Sequence, residues 1–306
     1  MANKMKSSPS RIAFVIFNDT ILILFALLCL APFLNLLAIS FSSGAAASNG
    51  IGIIPMIGED IADLKVGINL NAYQYLLSKS EFFRAFGISV ARVVLGILIC
   101  VSVELLAAYP LAKSGYQLKG RQFYVAFYTV TMFFSGGLIP TYLVINGLNL
   151  DDNILCLVLP LATNAWNMVL FINFFKQVPK DLEEYAYLEG AGPLVVLLKI
   201  IVPISLPAVA TVTLFTAVAH WNNWFDGYIY MSTKNYPLQT YIYDIINQLT
   251  TLSKSPDPNT QALIKNLPGK TIRSAQIFIA MVPIMLVYPF AQKFFIKGLT
   301  MGAVKE

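Results

Sequence analysis

Five stretches of this chain, residues 21–41, 122–150, 154–175, 200–225 and 274–292, contain no Asp, Glu, Lys or Arg. As helices rising about 1.5 Å per residue, each is long enough to cross a hydrocarbon core of roughly 30 Å. A sixth, residues 85–112, carries only Arg92 and Glu104. Charged residues make up 12% of the chain, about half the share usual in soluble domains. These gaps predict an all-α polytopic membrane protein with six transmembrane helices, at about 21–41, 85–112, 122–146, 154–175, 200–222 and 274–293. The first stretch is longer than the 7–15 residue core of a signal peptide, so it reads as a retained span.

The remaining charges sort by loop. Lys4, Lys6 and Arg11 lead the first span, Lys113, Lys119 and Arg121 follow the second, and Lys293, Lys297 and Lys305 close the chain, whereas the connection after the third holds Asp151 and Asp152. The positive-inside rule then places both termini and the loop 176–199 in the cytoplasm. The predicted organisation is a lead-in at 1–20, one six-helix transmembrane domain at 21–297 and a cytoplasmic tail at 298–306. Because the basic residues sort by loop, the net charge of +5 points to no nucleic acid. Cys29, Cys100 and Cys156 lie inside spans without metal-ligand spacing and read as small packing residues. The chain is expected to hold no metal and no cofactor of its own.

Local signals refine the picture. Asn18-Asp19-Thr20 offers an N-cap for the first span, and residues 71–86 read as one amphipathic helix with Tyr73, Leu76, Leu77 and Phe83 on its apolar side. The loop 226–273 reads as helical over 237–249 and irregular over 253–259. Gly269-Lys270-Thr271 ends like a phosphate-binding loop, but the glycine required five residues earlier is Ile264. No nucleophile–base set is present, which argues against an enzyme.

Four carboxylates crowd into residues 178–192, between two uncharged spans. Pro179 blocks helix upstream, Asp181 is placed to cap one with Glu184 as its capping-box partner, and Gly190 supplies the stop. Leu182, Tyr185, Ala186 and Glu189 share a face. Such a helix is far below the roughly 12–15 residues that are marginal alone in water, so either another surface holds it or the segment is a solvated connection.

Glu184-Tyr185-Ala186, Gly190-Ala191-Gly192, Ile200, Pro203 and Pro207 resemble the EAA loop of ATP-binding-cassette importer permeases. Tyr185 stands for an alanine, Glu189 for the usual Asp and Val202 for a leucine. Ala108-Tyr109-Pro110-Leu111, His220 to Phe225 with Tyr236-Pro237-Leu238-Gln239, and the run from Tyr288 to Lys305 are similar to the maltose-permease-like carbohydrate branch, so the resemblance covers essentially the whole chain. It implies a type I ABC importer permease fold in a bacterial cytoplasmic membrane, serving sugars or oligosaccharides.

The same resemblance implies partners: a second homologous permease, two cytoplasmic ABC ATPase subunits that hold ATP and Mg, and an extracytoplasmic sugar-binding protein. Leu182, Glu184, Tyr185, Ala186, Glu189, Gly190, Ala191 and Gly192 would form the ATPase-coupling interface. Trp221, Asn222, Trp224 and Glu104 are candidates for the translocation path. For the aromatic cluster an interfacial belt is the other reading, and for His220 a helix-end hydrogen bond. Arg92 and Glu104, about 18 Å apart along one helix, cannot pair with each other; Arg92 is expected to snorkel outward and Glu104 to pair across helices. The rival function is an ion-coupled secondary transporter working through Glu104.

Overall fold

The structure is a computed structural model describing residues 9–48, 53–58, 63–113, 118–253 and 269–303. It divides into two compact units, Met1–Lys79 with Ile245–Ile279 and Ser80–Asp244 with Ala280–Glu306.

In the first unit, α1 runs unbroken over Pro9–Ser40. Proline suits a first helical position because its missing N–H has no partner to lose there. Asn18-Asp19-Thr20 therefore lies inside the helix rather than capping it, and the Thr20 hydroxyl donates to its own helix at the Ile16 carbonyl (2.7 Å). Nothing between Pro9 and Thr20 breaks helix, which is why the start moves upstream. Most α1 side chains are exposed, as expected of a helix facing lipid. After it come α2 (Gly44–Ser48) and a two-stranded antiparallel ribbon, β1 (Met56–Ile57) against β2 (Lys65–Val66), with Met56 opposite Val66.

The helix expected over 71–86 is split. α3 spans Asn71–Leu77 and ends at Ser78, whose hydroxyl bonds the Tyr75 carbonyl (2.8 Å), and a new helix starts at Ser80. Leu76 is buried with Ala72, Ile272 and Ala275, whereas Leu77 and Phe83 are exposed. Tyr73 stacks on Phe41 and shares a hydrogen bond with Ser40 (2.8 Å).

The second unit is built on α4, Ser80–Ala112, 33 residues with a π-helical turn at Ile97–Val101. The three spans that follow are all bent. α5 (Arg121–Phe133) and α6 (Leu138–Gly147) meet at 115°; the 3₁₀ turns over Ile154–Leu161 and α7 (Ala165–Phe175) at 52°; α9 (Pro193–Ile204) and α10 (Leu206–Asn222) at 87°. The breaks have local causes. Gly137 sits at φ +83°, a region closed to most side chains. Asn164 caps α7 by accepting from Trp166 N (2.9 Å) and Asn167 N (3.3 Å). Ser205 lies between Pro203 and Pro207, neither of which can donate a backbone hydrogen bond.

Between α7 and α9 stands α8 (Lys180–Leu188). α11 (Phe225–Tyr230), α12 (Leu238–Ser253) and α13 (Gly269–Ala303) complete the chain. Among the described residues three unbroken helices are long and apolar enough to cross a membrane, and counting each bent pair as one span gives up to six. Gly269-Lys270-Thr271 opens α13, and the residues ahead of it lie outside the described ones. Residues 298–303, expected as tail, continue it. Of the stretch expected to be irregular, 253–259, all but Ser253 lies outside the described residues.

The core of the second unit joins α4, α7, α9 and α10 through Val101, Ala108, Leu111, Met168, Phe171, Leu197, Ile201 and Val212. Above it lies a polar knot. Arg92 does not snorkel: it is 0% exposed and forms an ion pair with Asp226. Its Nη1 also donates to the Asn223 carbonyl (3.0 Å) and its Nη2 to the Leu157 carbonyl (3.4 Å). Asp226 further accepts from Asn223 Nδ2 (3.0 Å) and Gly227 N (2.7 Å). The partner of Arg92 comes from 134 positions away in the sequence.

Replacing Arg92 or Asp226 alone with alanine strands a buried charge, and a loss of about 3–5 kcal/mol is expected. The unfolding temperature of detergent-solubilised protein would report it. The double variant R92M/D226L should recover part of that loss, and no recovery would mean that the ion pair is not what holds these segments.

Candidate functional site

Two places gather chemistry. The first is α8. It begins at Lys180, with Pro179 at the N-cap position and no side-chain cap, so the expected cap at Asp181 is corrected. Proline fixes φ near the value that launches a helix, which moves Asp181 into the first turn. There it and Glu183 sit favourably against the positive end of the helix dipole. The C-terminus follows expectation: Gly190 adopts φ +85°. Ala191 N bonds the Ala186 carbonyl (2.9 Å) and Gly190 N the Tyr187 carbonyl (3.0 Å), the paired bonds of a Schellman stop.

What holds so short a helix is its contact with the end of α4. Lys113, one residue past Ala112, pairs with Glu183. The same ammonium lies 4.2 Å from the centre of the Tyr109 ring, and the Tyr109 and Tyr187 hydroxyls bond at 2.9 Å. Burial lowers Lys113 to about 8, and the facing Glu183 carboxylate opposes that loss of charge. Ala186 and Ala191 turn inward against the core. Leu182, Tyr185 and Leu188 point outward, the last 83% exposed. The outward apolar face thus includes Leu188 in place of the expected Ala186. Glu184, Glu189, Gly190 and Gly192 are also exposed.

The second place is a cavity of about 310 Å³ in the second unit, lined by Glu104, Asn164, Trp166, Asn167, Thr216 and His220 with three apolar neighbours. Glu104, fully buried, does pair across helices: it accepts from Asn164 N (3.0 Å) and from Asn167 Nδ2 (3.2 and 3.3 Å). It therefore supports the cap of α7, where the break in the span would otherwise leave N–H groups unbonded in an apolar setting. His220 stands in the last turn of α10 and is buried. Its Nε2 lies 3.4 Å from Cys100 Sγ, and its ring packs so closely on Gly96 that a Cβ there would come within 2.3 Å.

Of the four path candidates only Glu104 lines this cavity. Trp221 is buried, donates to the Ala280 carbonyl (2.9 Å) and meets Phe86 edge-on. Trp224 stacks on Tyr243 with centroids 3.9 Å apart, and Asn222 is exposed at the end of α10. Sequence reasoning passed over Asn164-Ala165-Trp166-Asn167. The signal was present, since amides at i and i+3 inside an uncharged run are costly in hydrocarbon unless they face protein or water. Among the described residues no cluster of His, Cys, Asp or Glu is arranged to hold a metal ion.

Residues 118–301 match the family described as binding-protein-dependent transport system inner membrane component. Over 285 residues the chain is 34% identical to the polygalacturonan/rhamnogalacturonan transport system permease protein YtcP of Bacillus subtilis (strain 168), spanning 93% of this chain and 95% of that one. It is 37% identical over 277 residues to protein LplC of the same organism, spanning 90% and 88%. A chain in the crystal structure of a bacterial ABC transporter involved in the import of the acidic polysaccharide alginate superposes with a TM-score of 0.80 at 28% identity, covering 95% of this chain and all of that one. With the bent spans and the short helix between them, these likenesses make the chain a membrane-embedded transport component, and it belongs to the binding-protein-dependent transport system inner membrane component family.

Proposed function

We propose that this chain is one of two permease subunits lining the pathway of an ATP-driven importer for sugars or oligosaccharides. A second, homologous permease completes the pathway, and two cytoplasmic ABC ATPase subunits hold ATP and Mg. An extracytoplasmic sugar-binding protein delivers the cargo. Support for the cargo comes from relatives named for polygalacturonan/rhamnogalacturonan transport and for alginate import.

The observation that carries the reading is α8. A nine-residue helix that leaves Leu182, Tyr185 and Leu188 in water is apolar surface awaiting a partner. Its opposite side is fastened to α4. In this reading the ATPase grips Leu182, Glu184, Tyr185 and Glu189, with Gly190, Ala191 and Gly192 shaping the exit. Closure of the ATPase dimer on ATP moves α8, and Lys113 and Tyr109 pass that displacement to α4, which carries Glu104. The spans then turn from inward-facing to outward-facing. The ion-coupled alternative is disfavoured because both Glu104 oxygens already accept bonds at the head of α7.

Two outcomes test the lever. Gly190→Val has open space around it but must hold a left-handed backbone costing about 1–2 kcal/mol. Sugar uptake should fall several-fold while ATP hydrolysis by the assembled complex persists; full uptake with intact assembly would sink the lever role. Lys113→Glu should likewise uncouple, and the exchange K113E/E183K should restore uptake to a substantial fraction of wild type. If the exchange restores nothing, the ion pair does not transmit the motion. Uptake into liposomes holding this chain without ATPase would instead revive the ion-coupled alternative.

A further inference from the structure

Beside the joint of α4 and α8 runs a groove of about 550 Å³ that the lever does not use. Its walls are apolar: Leu106 and Pro110 from the last turns of α4, Leu118 from the loop that follows, and Leu194 and Leu197 from α9. Leu106 and Leu194 are 52% and 60% exposed, so the groove is open and not sealed. Polar groups are confined to one end, where Tyr109, Lys113 and Tyr187 meet. Tyr187 is 40% exposed and the Lys113 side chain 15%, so both can be reached.

That end has donors to spare. An ammonium carries three N–H donors, and among the described residues the one acceptor that Lys113 meets is Glu183. Tyr109 and Tyr187 bring two hydroxyl protons to the single bond between them, which leaves one O–H over. Among the described residues no carboxylate lines the groove, because Glu183 stands in the neighbouring pocket across Lys113. Surplus donors around a cation fit an anion. Depth and charge narrow the choice. From Leu106 to Lys113 is about 10 Å along α4. On the sidedness given by the loop charges, Lys113 lies at the cytoplasmic headgroup level and Leu106 among acyl chains. Residues 113–121 hold Lys113, Lys119 and Arg121 and no acid, and Arg121 is fixed at this level by its Nε bond to the Leu111 carbonyl (2.8 Å). A soluble anion would leave the apolar wall bare, and a hydrocarbon would leave the donors bare. A molecule with a phosphate at one end and a chain at the other covers both, and basic pockets between membrane helices on the cytoplasmic side take such headgroups.

We propose that this groove binds one anionic phospholipid of the cytoplasmic leaflet, its phosphate on Lys113 and the Tyr109–Tyr187 hydroxyls and one acyl chain along Leu106, Pro110, Leu194 and Leu197, and that the lipid stiffens the α4–α8 joint. Lys113 closes α4 and Tyr187 belongs to α8, so a phosphate bonded to both adds a third tie between the two helices. Glu183 keeps its bond, because the ammonium has donors for both acids. The binding stands apart from the importer reading, whereas the bearing of a stiffer joint on transport rests on it.

The test uses the complete importer and native mass spectrometry, with dioleoylphosphatidylglycerol and dioleoylphosphatidylcholine as probes. Wild type should retain phosphatidylglycerol about fivefold or more over phosphatidylcholine. That preference should vanish in L106W and in L194W, whose indoles fill the groove from exposed positions and leave Lys113 and Glu183 paired; both should melt with wild type, as surface substitutions do. K113Q, which removes the cation alone, should lose the preference as well. In nanodiscs, hydrogen exchange of the α8 amides should slow several-fold when phosphatidylglycerol replaces phosphatidylcholine around wild type, and not around L194W. Equal retention of the two lipids, or a preference unchanged in both tryptophan variants, would overturn the site. Displacement of the bound lipid by excess inorganic phosphate would overturn it too, because a free anion would then suffice. Selective binding without slower exchange in α8 would overturn the stiffening. Selective binding by an importer in which the K113E/E183K exchange restores no uptake would support the lipid site while the lever fails.

Discussion

The second unit hangs on one guanidinium. Arg92 stands on the unbroken span α4 and reaches three places at once: the Asp226 carboxylate after α10, the Asn223 carbonyl at the end of α10, and the Leu157 carbonyl in the 3₁₀ turns ahead of α7. Helix ends and 3₁₀ turns leave carbonyls without regular partners, and in an apolar setting water cannot take them. A planar donor with five N–H groups on a long stem can serve several such acceptors together. Broken spans are tolerable here because Arg92 satisfies what the breaks expose, and Asp226 neutralises the charge that this solution buries.

Glu104 repeats the device one level along the same helix. It takes the N–H of Asn164 while Asn164 takes those of Trp166 and Asn167, so a carboxylate and an amide together replace the missing turn before α7. The two charged residues of α4 thus have complementary duties, the cation collecting stray carbonyls and the anion collecting stray amides. Breaking the span in this way also opens the polar cavity, because the side chains that would have filled a straight helix now diverge from it.

Much of this was legible in the sequence and some was not, for definable reasons. The charge-free runs fixed how many times the chain crosses, and Gly190 announced the end of α8 because only a residue without Cβ adopts φ +85° freely. Bends left no such trace: residues 122–150 are equally apolar whether the helix is straight or turns through 115°. Hydropathy measures length, not direction. Arg92 was misread because its partner is remote in sequence, and a lone charge in a span looks like a snorkelling one until that partner is known. The first residue of α8 slipped by two positions because Pro179 itself serves as its cap, where a polar cap was sought at Asp181.

The joint between α8 and α4 has a geometry that a list of its contacts conceals. Tyr109 and Lys113 are four residues apart on one side, and Glu183 and Tyr187 are four apart on the other. Each pair is therefore separated by about 6 Å along its own helix. A single bond between two rods is a swivel. Two bonds one turn apart are a clamp, which carries twist as well as push. Under the proposed lever, an ATPase that only rotated α8 about its own axis, without displacing it, would still turn the foot of α4, and with it the side chains that α4 carries.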